Sequence, residues 1–301
     1  MKEIRPWLSA MRLRTLPLSI SGVILGTCFA YYNGRFSWWV FVFAILTTIS
    51  LQILSNLAND YGDSVNGADN SERVGPRRAV QSGQISSEDM LEAIKFNIVL
   101  VIILTLALIW AAFGFANWLY ILLFMFLGGV SVYAALNYTM GDSPYGYRAL
   151  GDIFVFLFFG LLSTIGSYLL YMQRIDHLTI LPAIAVGLLS VGVLNLNNMR
   201  DIEGDANAGK LTIAVKLGIK RAKLYHNSLI GGAMLIAVMF SVLYYVEPYN
   251  FMYAIIFIPL IIHLKKINAA KTPDDFDSQL KVLALSTFLF AVLLGVGYIL
   301  Y

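Results

Sequence analysis

The chain is dominated by runs that are apolar on all sides, such as IVLVIILTLALIW (98–110) and FVFLFF (154–159), separated by polar connections. A helix that is apolar all round belongs in a large protein core or in a membrane, and one follows another along most of this chain. The strict alternation of a membrane β-barrel is missing. Nine stretches predict transmembrane helices at 15–33, 37–58, 94–114, 117–138, 151–172, 178–198, 226–246, 249–264 and 280–300. Most approach the roughly 20 residues that cross about 30 Å of hydrocarbon, and the eighth is short. The expected fold is all-α: a polytopic membrane helix bundle of about nine helices, forming a single membrane-embedded domain over residues 1–301. With 58% hydrophobic and 13% charged residues, against roughly 25% charged in a soluble domain, an ordinary cytosolic protein or a disordered chain is excluded. The expected surroundings are a lipid bilayer, and no nucleic acid is expected as a partner.

The connections alternate in character. Asn33–Phe36, Gly114–Asn117, Gln173–His177 and Glu247–Pro248 are short. The N-terminus, 59–93, 139–150, 199–225 and 265–279 are polar. Nineteen of the twenty-one Lys and Arg fall on the second side; Arg35 and Arg174 are the exceptions. The positive-inside rule makes that side cytoplasmic, with the N-terminus inside and the C-terminus outside. The N-terminal MKEIRPWLSAMRLRTLP reads as the start of an uncleaved first helix rather than a signal peptide. Sixteen of the eighteen Asp and Glu lie on the same side. Topology does not require that, since acids contribute little to it.

Two acidic segments follow apolar helices. One is NLANDYGDSVNGADNSERVGPRRAVQSG (56–83), the other NLNNMRDIEGDANAGKLT (195–212). In the first, Asn56, Asp60 and Asp63 fall at i, i+4 and i+7, on one helix face. In the second, Asn197, Asp201 and Asp205 fall at i, i+4 and i+8. Such oxygens are hard ligands suited to Mg²⁺, which keeps waters and takes one or two carboxylates together with phosphate oxygens. Two such clusters facing each other fit Mg²⁺ bridging a diphosphate. Arg73, Arg77, Arg78 and Lys210 follow the clusters, and Arg12 and Arg14 precede the first helix. Those cations suit the remaining phosphate oxygens. Asp69, Glu72, Asp89 and Glu203 read as solvated loop charges.

A third polar segment, YTMGDSPYGYRALGD (138–152), lies on the same side and offers hydroxyls, aromatic faces and backbone donors. Asp152 also fits a helix cap. His177, His226 and His263 are scattered without metal-ligand spacing, and no Walker loop, dinucleotide fingerprint or zinc motif is present. The lone Cys28 reads as a small buried hydrophobe.

These motifs together resemble the UbiA-type intramembrane prenyltransferases. The residues that carry the likeness are NLANDYGDSVNGAD with Arg73 to Arg78, LNYTMGDSPYGYRALGDIFVFLFFG (136–160) and LNNMRDIEGDANAGKLTIAVKLG (196–218). Within the superfamily the pattern is most similar to the branch acting on 1,4-dihydroxy-2-naphthoate in menaquinone synthesis. Relatives acting on 4-hydroxybenzoate show a third Asp where this chain has Gly67. The resemblance implies an enzyme of the bacterial cytoplasmic (inner) membrane with its active site facing the cytoplasm. It would transfer a polyprenyl group from polyprenyl diphosphate to 1,4-dihydroxy-2-naphthoate, with loss of diphosphate and CO₂. It implies Mg²⁺ held by Asn56, Asp60, Asp63, Asn197, Asp201 and Asp205, and a catalytic set of Asp60, Asp63, Asp201, Asp205 and Lys210. Arg14, Arg77 and Lys210 would grip the diphosphate, with Arg73 and Arg78 beside them. Tyr138, Tyr147 and Asp152 are candidates for the aromatic substrate. A prenyltransferase for 4-hydroxybenzoate or homogentisate is one alternative, and a secondary transporter with repeated halves is another.

Overall fold

The computed structural model describes residues 4–67 and 78–300. Nine of its helices are long and apolar enough to cross a membrane among the described residues. They are α1 Ile4–Tyr32, α2 Trp38–Val65, α3 Ser87–Phe113, α4 Trp118–Asn137, α5 Gly151–Met172, α6 His177–Arg200, α7 Ile213–Leu243, α8 Pro248–Ala269 and α9 Pro273–Ile299. All nine expected spans are present, but α2, α3, α7 and α9 run well past the apolar stretch at their polar ends. Hydropathy registers only the part that would sit in hydrocarbon, whereas backbone hydrogen bonding carries the helix on. The eighth helix is full length; its first part, Pro248–Ile256, is a tighter 3₁₀ segment, extended by α-helix from Phe257 to Ala269.

Interruptions shape several of these helices, among them a kink in α7 at Gly218 (φ 71°). α1 is broken between Met11 and Leu16 by a 3₁₀ turn. Pro17 lies in the first turn of the second piece, where a missing N–H costs nothing, and it bars a continuous helix across the break. Arg12 adopts the left-handed conformation there (φ 49°). α5 opens into an eleven-residue π-helical stretch, Phe156–Gly166, a wide-turned form that concentrates at functional sites.

The main core is built on α1, α6, α7, α8 and α9, around residues such as Phe29, Leu189, Phe240 and Phe290. α5 lies against α1 and α6. At the α5–α6 crossing Gly160 faces Gly187: a Cβ on Gly160 would stand 2.5 Å from the Gly187 Cα. Small residues let membrane helices approach this closely. α4 packs on α2 and α3. Cys28 is buried and free. The end with the short connections carries exposed Trp38, Trp39, Trp118 and Phe115, as expected of an interfacial aromatic belt. The opposite end carries the acidic motifs.

Candidate active site

α2 stays helical through Val65, so the first motif keeps its helical register. Asn56, Asp60 and Asp63 are 3%, 1% and 2% exposed. Carboxylates this deep must be paired or hydrogen-bonded. Asp60 accepts two adjacent backbone N–H groups, from Ala79 to Oδ2 at 3.1 Å and from Val80 to Oδ1 at 3.2 Å. Asp63 Oδ1 accepts the Tyr147 hydroxyl at 2.9 Å and lies 3.4 Å from Lys210 Nζ, while Oδ2 lies 3.5 Å from an Arg78 nitrogen. The Asn56 amide donates to the Met11 carbonyl at 2.9 Å and to Thr15 Oγ1 at 3.4 Å, which ties it to the break in α1.

The second motif departs from the i, i+4, i+8 face expected of a continuous helix. α6 ends at Arg200, Asp201 is its capping residue, and a separate short helix, Ile202–Asn207, carries Asp205. Gly209 (φ 71°) then turns the chain. The N–H groups of Gly209 and Lys210 bond the carbonyls of Ala206 and Asp205. This is the Schellman arrangement, which needs a residue at ease with positive φ. It points Lys210 back toward α2, where Nζ lies 3.4 Å from Asp63 and 3.8 Å from Asp205. One buried ammonium therefore joins the two acidic motifs. The next N–H, of Leu211, bonds the Tyr147 carbonyl at 3.2 Å, and Nζ stands 5.3 Å above the Tyr147 ring. The third polar segment is thereby stitched to both others.

Arg200 carries no distinguishing signal in the local sequence. It is buried and hydrogen-bonds Asp201 twice, Asn197 at 2.8 Å and Asp277 at 2.6 Å. Arg200 was hidden among the other cations of a basic face, and its partner Asp277 lies on a different helix far along the chain. A fork geometry suited to several carboxylate oxygens distinguishes it in space.

A cavity of about 380 Å³ opens beside these groups. Arg14, Asn56, Asp63, Arg78, Asn197 and Lys210 surround its polar end. Its other walls come from α1 to α6 and α9 and include Val23, Ala44, Leu108, Phe124, Phe158 and Leu170. On α2, Ala44 and Asp63 are nineteen residues apart, so the cavity runs along about 28 Å of that helix at 1.5 Å per residue. Tyr138, Tyr145, Phe154 and Phe158 line one side in a row of ring contacts; the Tyr145 and Phe154 rings stack at 3.9 Å. Phe159 also lines the cavity, whereas Phe156 packs on Gly187. A smaller polar space of about 300 Å³ adjoins it, bordered by Arg12, Arg14, Asp60, Arg78, Asn197 and Arg200. Asp152 lies in the first turn of α5 and accepts the Tyr225 hydroxyl at 2.9 Å. Burial, and then the charge of Asp63, push the Tyr138 and Tyr147 hydroxyls up from their ordinary values, so both stay protonated as donors. Arg73 and Arg77, with Asp69 and Glu72, lie outside the described residues.

Among the described residues no group of three or more His, Cys, Asp or Glu side chains is close enough together to hold a metal by itself. The acids stand instead in pairs, Asp63 with Asp205 across Lys210 and Asp201 with Asp277 across Arg200. Hard oxygens in ones and twos beside a cationic wall fit Mg²⁺ held partly by phosphate oxygens and water, and not a closed all-protein cage.

Comparison with known proteins gives a consistent result. The model of the UbiA prenyltransferase family matches residues 19–288. A 1,4-dihydroxy-2-naphthoate octaprenyltransferase of Haemophilus influenzae is 37% identical over 300 residues, covering 98% of this chain and 96% of that one. The Escherichia coli K12 protein of the same name is 44% identical over 236 residues, 78% of this chain and 76% of that one. A UbiA homolog from Aeropyrum pernix, solved in its apo form, superposes with a TM-score of 0.69 at 15% identity, covering 96% of this chain and 98% of that one. A UbiA homolog from Archaeoglobus fulgidus bound to DMAPP and Mg²⁺ does so at 0.64 and 15%, covering 96% and 99%.

Proposed function

This chain belongs to the UbiA prenyltransferase family, and from that premise we propose how it works: it transfers a polyprenyl group from polyprenyl diphosphate to 1,4-dihydroxy-2-naphthoate at the cavity mouth, where Lys210 joins the two acidic motifs. That juxtaposition carries the reading. It sets a cluster of carboxylates and cations, suited to a metal-bound diphosphate, at the entrance of a long and largely apolar cavity suited to an isoprenoid tail. The relatives named as 1,4-dihydroxy-2-naphthoate octaprenyltransferases supply the acceptor, and the Archaeoglobus structure supplies the precedent for Mg²⁺ beside a prenyl diphosphate.

In this reading Asn56, Asp60, Asp63, Asn197, Asp201 and Asp205 hold Mg²⁺ directly or through water. The ion supplies neutralisation of the charge that develops on the departing diphosphate. Arg14, Arg78 and Lys210 take the phosphate oxygens left over, and the sequence motif adds Arg73 and Arg77 to the diphosphate-binding set. The allylic carbon–oxygen bond breaks, and the carbon bonds the ring carbon that carries the carboxylate. CO₂ then leaves, and its bonding electrons restore the aromatic ring without a separate base. The ring row of Tyr138, Tyr145, Phe154 and Phe158 keeps water from the cation-like carbon. Tyr138 donates its hydroxyl toward the acceptor's end of the cavity, Tyr147 holds Asp63 in place beside it, and Asp152 supports the same segment. α4 packs on α2 and α3 while α5 packs on α1 and α6, so the seam between α4 and α5 gives the tail a route to lipid.

The whole chain acts as one membrane-embedded unit in the bacterial inner membrane, with the N-terminus and the active site cytoplasmic and the C-terminus outside. The charge asymmetry supports this orientation. The test is purified protein with Mg²⁺, a series of prenyl diphosphates and, in parallel, 1,4-dihydroxy-2-naphthoate, 4-hydroxybenzoate and homogentisate, read by mass analysis. The expected product is the prenylated, decarboxylated naphthoquinol, lost on chelation and restored by Mg²⁺. No metal-dependent product from the naphthoate would overturn the proposal.

A further inference from the structure

Far apart in sequence, His226 and His263 meet inside the bundle, with their Nε2 atoms 2.8 Å apart. Both are fully buried. The outer nitrogen of each ring has its own partner. Asn195 Nδ2 lies 3.4 Å from His226 Nδ1, and His263 Nδ1 lies 3.3 Å from Gln279 Oε1. Asn195 Nδ2 also reaches the Ala222 carbonyl at 3.2 Å.

These partners fix the direction of the whole row. The Asn195 amide can only donate to His226 Nδ1, and Gln279 Oε1 can only accept from His263 Nδ1. With one proton on each ring, His226 Nε2–H donates to His263 Nε2, and every link then has one donor and one acceptor. The row ties α6, α7, α8 and α9 together through four side chains. Buried polar groups at the heart of an apolar bundle are costly unless paired, and apolar side chains would fill the same space at lower cost. What such a row supplies beyond packing is a fixed relative register of the helices that carry it.

Its two ends lie just below the Arg200 hub. Asn195 sits five residues before Arg200 on α6, about 7.5 Å along the helix, and two before Asn197. Gln279 sits two residues after Asp277 on α9, and Asp277 accepts from Arg200 at 2.6 Å. The row therefore spans from the helix that carries the Arg200–Asp201 pair to the helix that carries its other carboxylate partner.

We propose that the Asn195–His226–His263–Gln279 row is a positioning device for the diphosphate site: it holds α6 and α9 in the register that lets Arg200 orient Asn197 and Asp201. The four are positioning residues that touch neither substrate. This inference rests on the acidic motifs being the diphosphate site.

The test uses the full-length protein in detergent, with His263→Leu, Gln279→Leu and Gln279→Glu. Gln279→Glu keeps an acceptor oxygen for His263 Nδ1–H. The probe is farnesyl thiodiphosphate with Mg²⁺, its Kd measured by calorimetry, beside Tm and the kcat and KM for prenyl diphosphate. Outer-shell support for a ligand site is worth about tenfold or more in affinity. His263→Leu and Gln279→Leu are accordingly expected to weaken probe binding and raise KM by about tenfold, with kcat changing less and Gln279→Glu restoring most of the affinity. A folded Leu variant that binds the probe as wild type does, whatever its Tm, overturns the proposal. Should His263→Leu fail to fold, Gln279→Leu at the edge of the row decides by the same criterion. Wild-type protein that does not bind the probe at all would overturn the reading of the site, and this inference with it.

Discussion

Arg200 grips the carboxylate of its own neighbour Asp201, Nε to Oδ1 at 2.8 Å and Nη2 to Oδ2 at 2.6 Å. Adjacent residues rarely face each other on a helix, and this pair does so because α6 stops between them. The same guanidinium reaches Asp277 on α9, so one side chain closes the junction of two helices and the second acidic motif.

Removing that guanidinium leaves carboxylates without their partner. Arg200→Leu is expected to cost about 3 kcal/mol of stability; the figure is kept at the low end because the Asp277 side chain is 38% exposed and water takes over part of its solvation. Arg200→Lys keeps the charge but loses the fork, and falls between the two. Thermal unfolding in detergent reads the order wild type, Lys, Leu. A Leu variant as stable as wild type would contradict the hub.

Lys210 stands between Asp63 and Asp205 with its ammonium buried. Lys210→Met keeps the stem and removes the charge, so the two acids repel and a phosphate oxygen loses its partner. Prenyl transfer is expected to fall by about a hundredfold or more, with the protein still monodisperse on size exclusion. A loss under about threefold would remove Lys210 from the site.

The helix count and the first acidic face were legible because both rest on local periodicity. Asn56, Asp60 and Asp63 lie on a helix that continues, so spacing alone placed them together. The second motif was legible only in composition. The helix breaks at Asp201, where Arg200 also bonds Asp277 of a distant helix, and no local pattern encodes that long-range contact, although the Gly209 turn into Lys210 does have a recognisable signature. The pairing of His226 with His263 was invisible for the same reason. They sit on different helices, and the packing of α7 on α8, with α6 and α9 around them, brings the two rings within hydrogen-bond distance.

Tyr147 donates its hydroxyl to Asp63 at 2.9 Å. Burial and then the Asp63 charge push its hydroxyl up from the ordinary tyrosine value, so the folded site keeps the proton on as pH rises through neutrality. Tyr147→Phe is expected to lower kcat/KM by about tenfold, the loss of one hydrogen bond to a charged group. The wild-type to Phe ratio should stay flat from about pH 6 to 9, because the tyrosine does not titrate there. A ratio that collapses within that window would mean that Tyr147 acts by losing its proton.

Phe154 stacks on Tyr145 at 3.9 Å between ring centres and continues to Phe158 at 6.1 Å, forming one wall of the cavity beyond the carboxylates. Shortening it opens space beside the carbon that bears the developing cation, and water that enters there competes with the aromatic ring. Phe154→Ala is therefore expected to divert turnover more than to stop it. Diphosphate release would continue while a growing share of the prenyl group appears as free prenyl alcohol instead of prenylated naphthoquinol. Phe154→Leu, which refills most of the volume, should bring the alcohol fraction back down. Mass analysis of both products from one reaction reads the ratio directly. If Phe154→Ala slows diphosphate release and product formation in equal proportion, with no rise in alcohol, the ring row does not shield the reacting carbon.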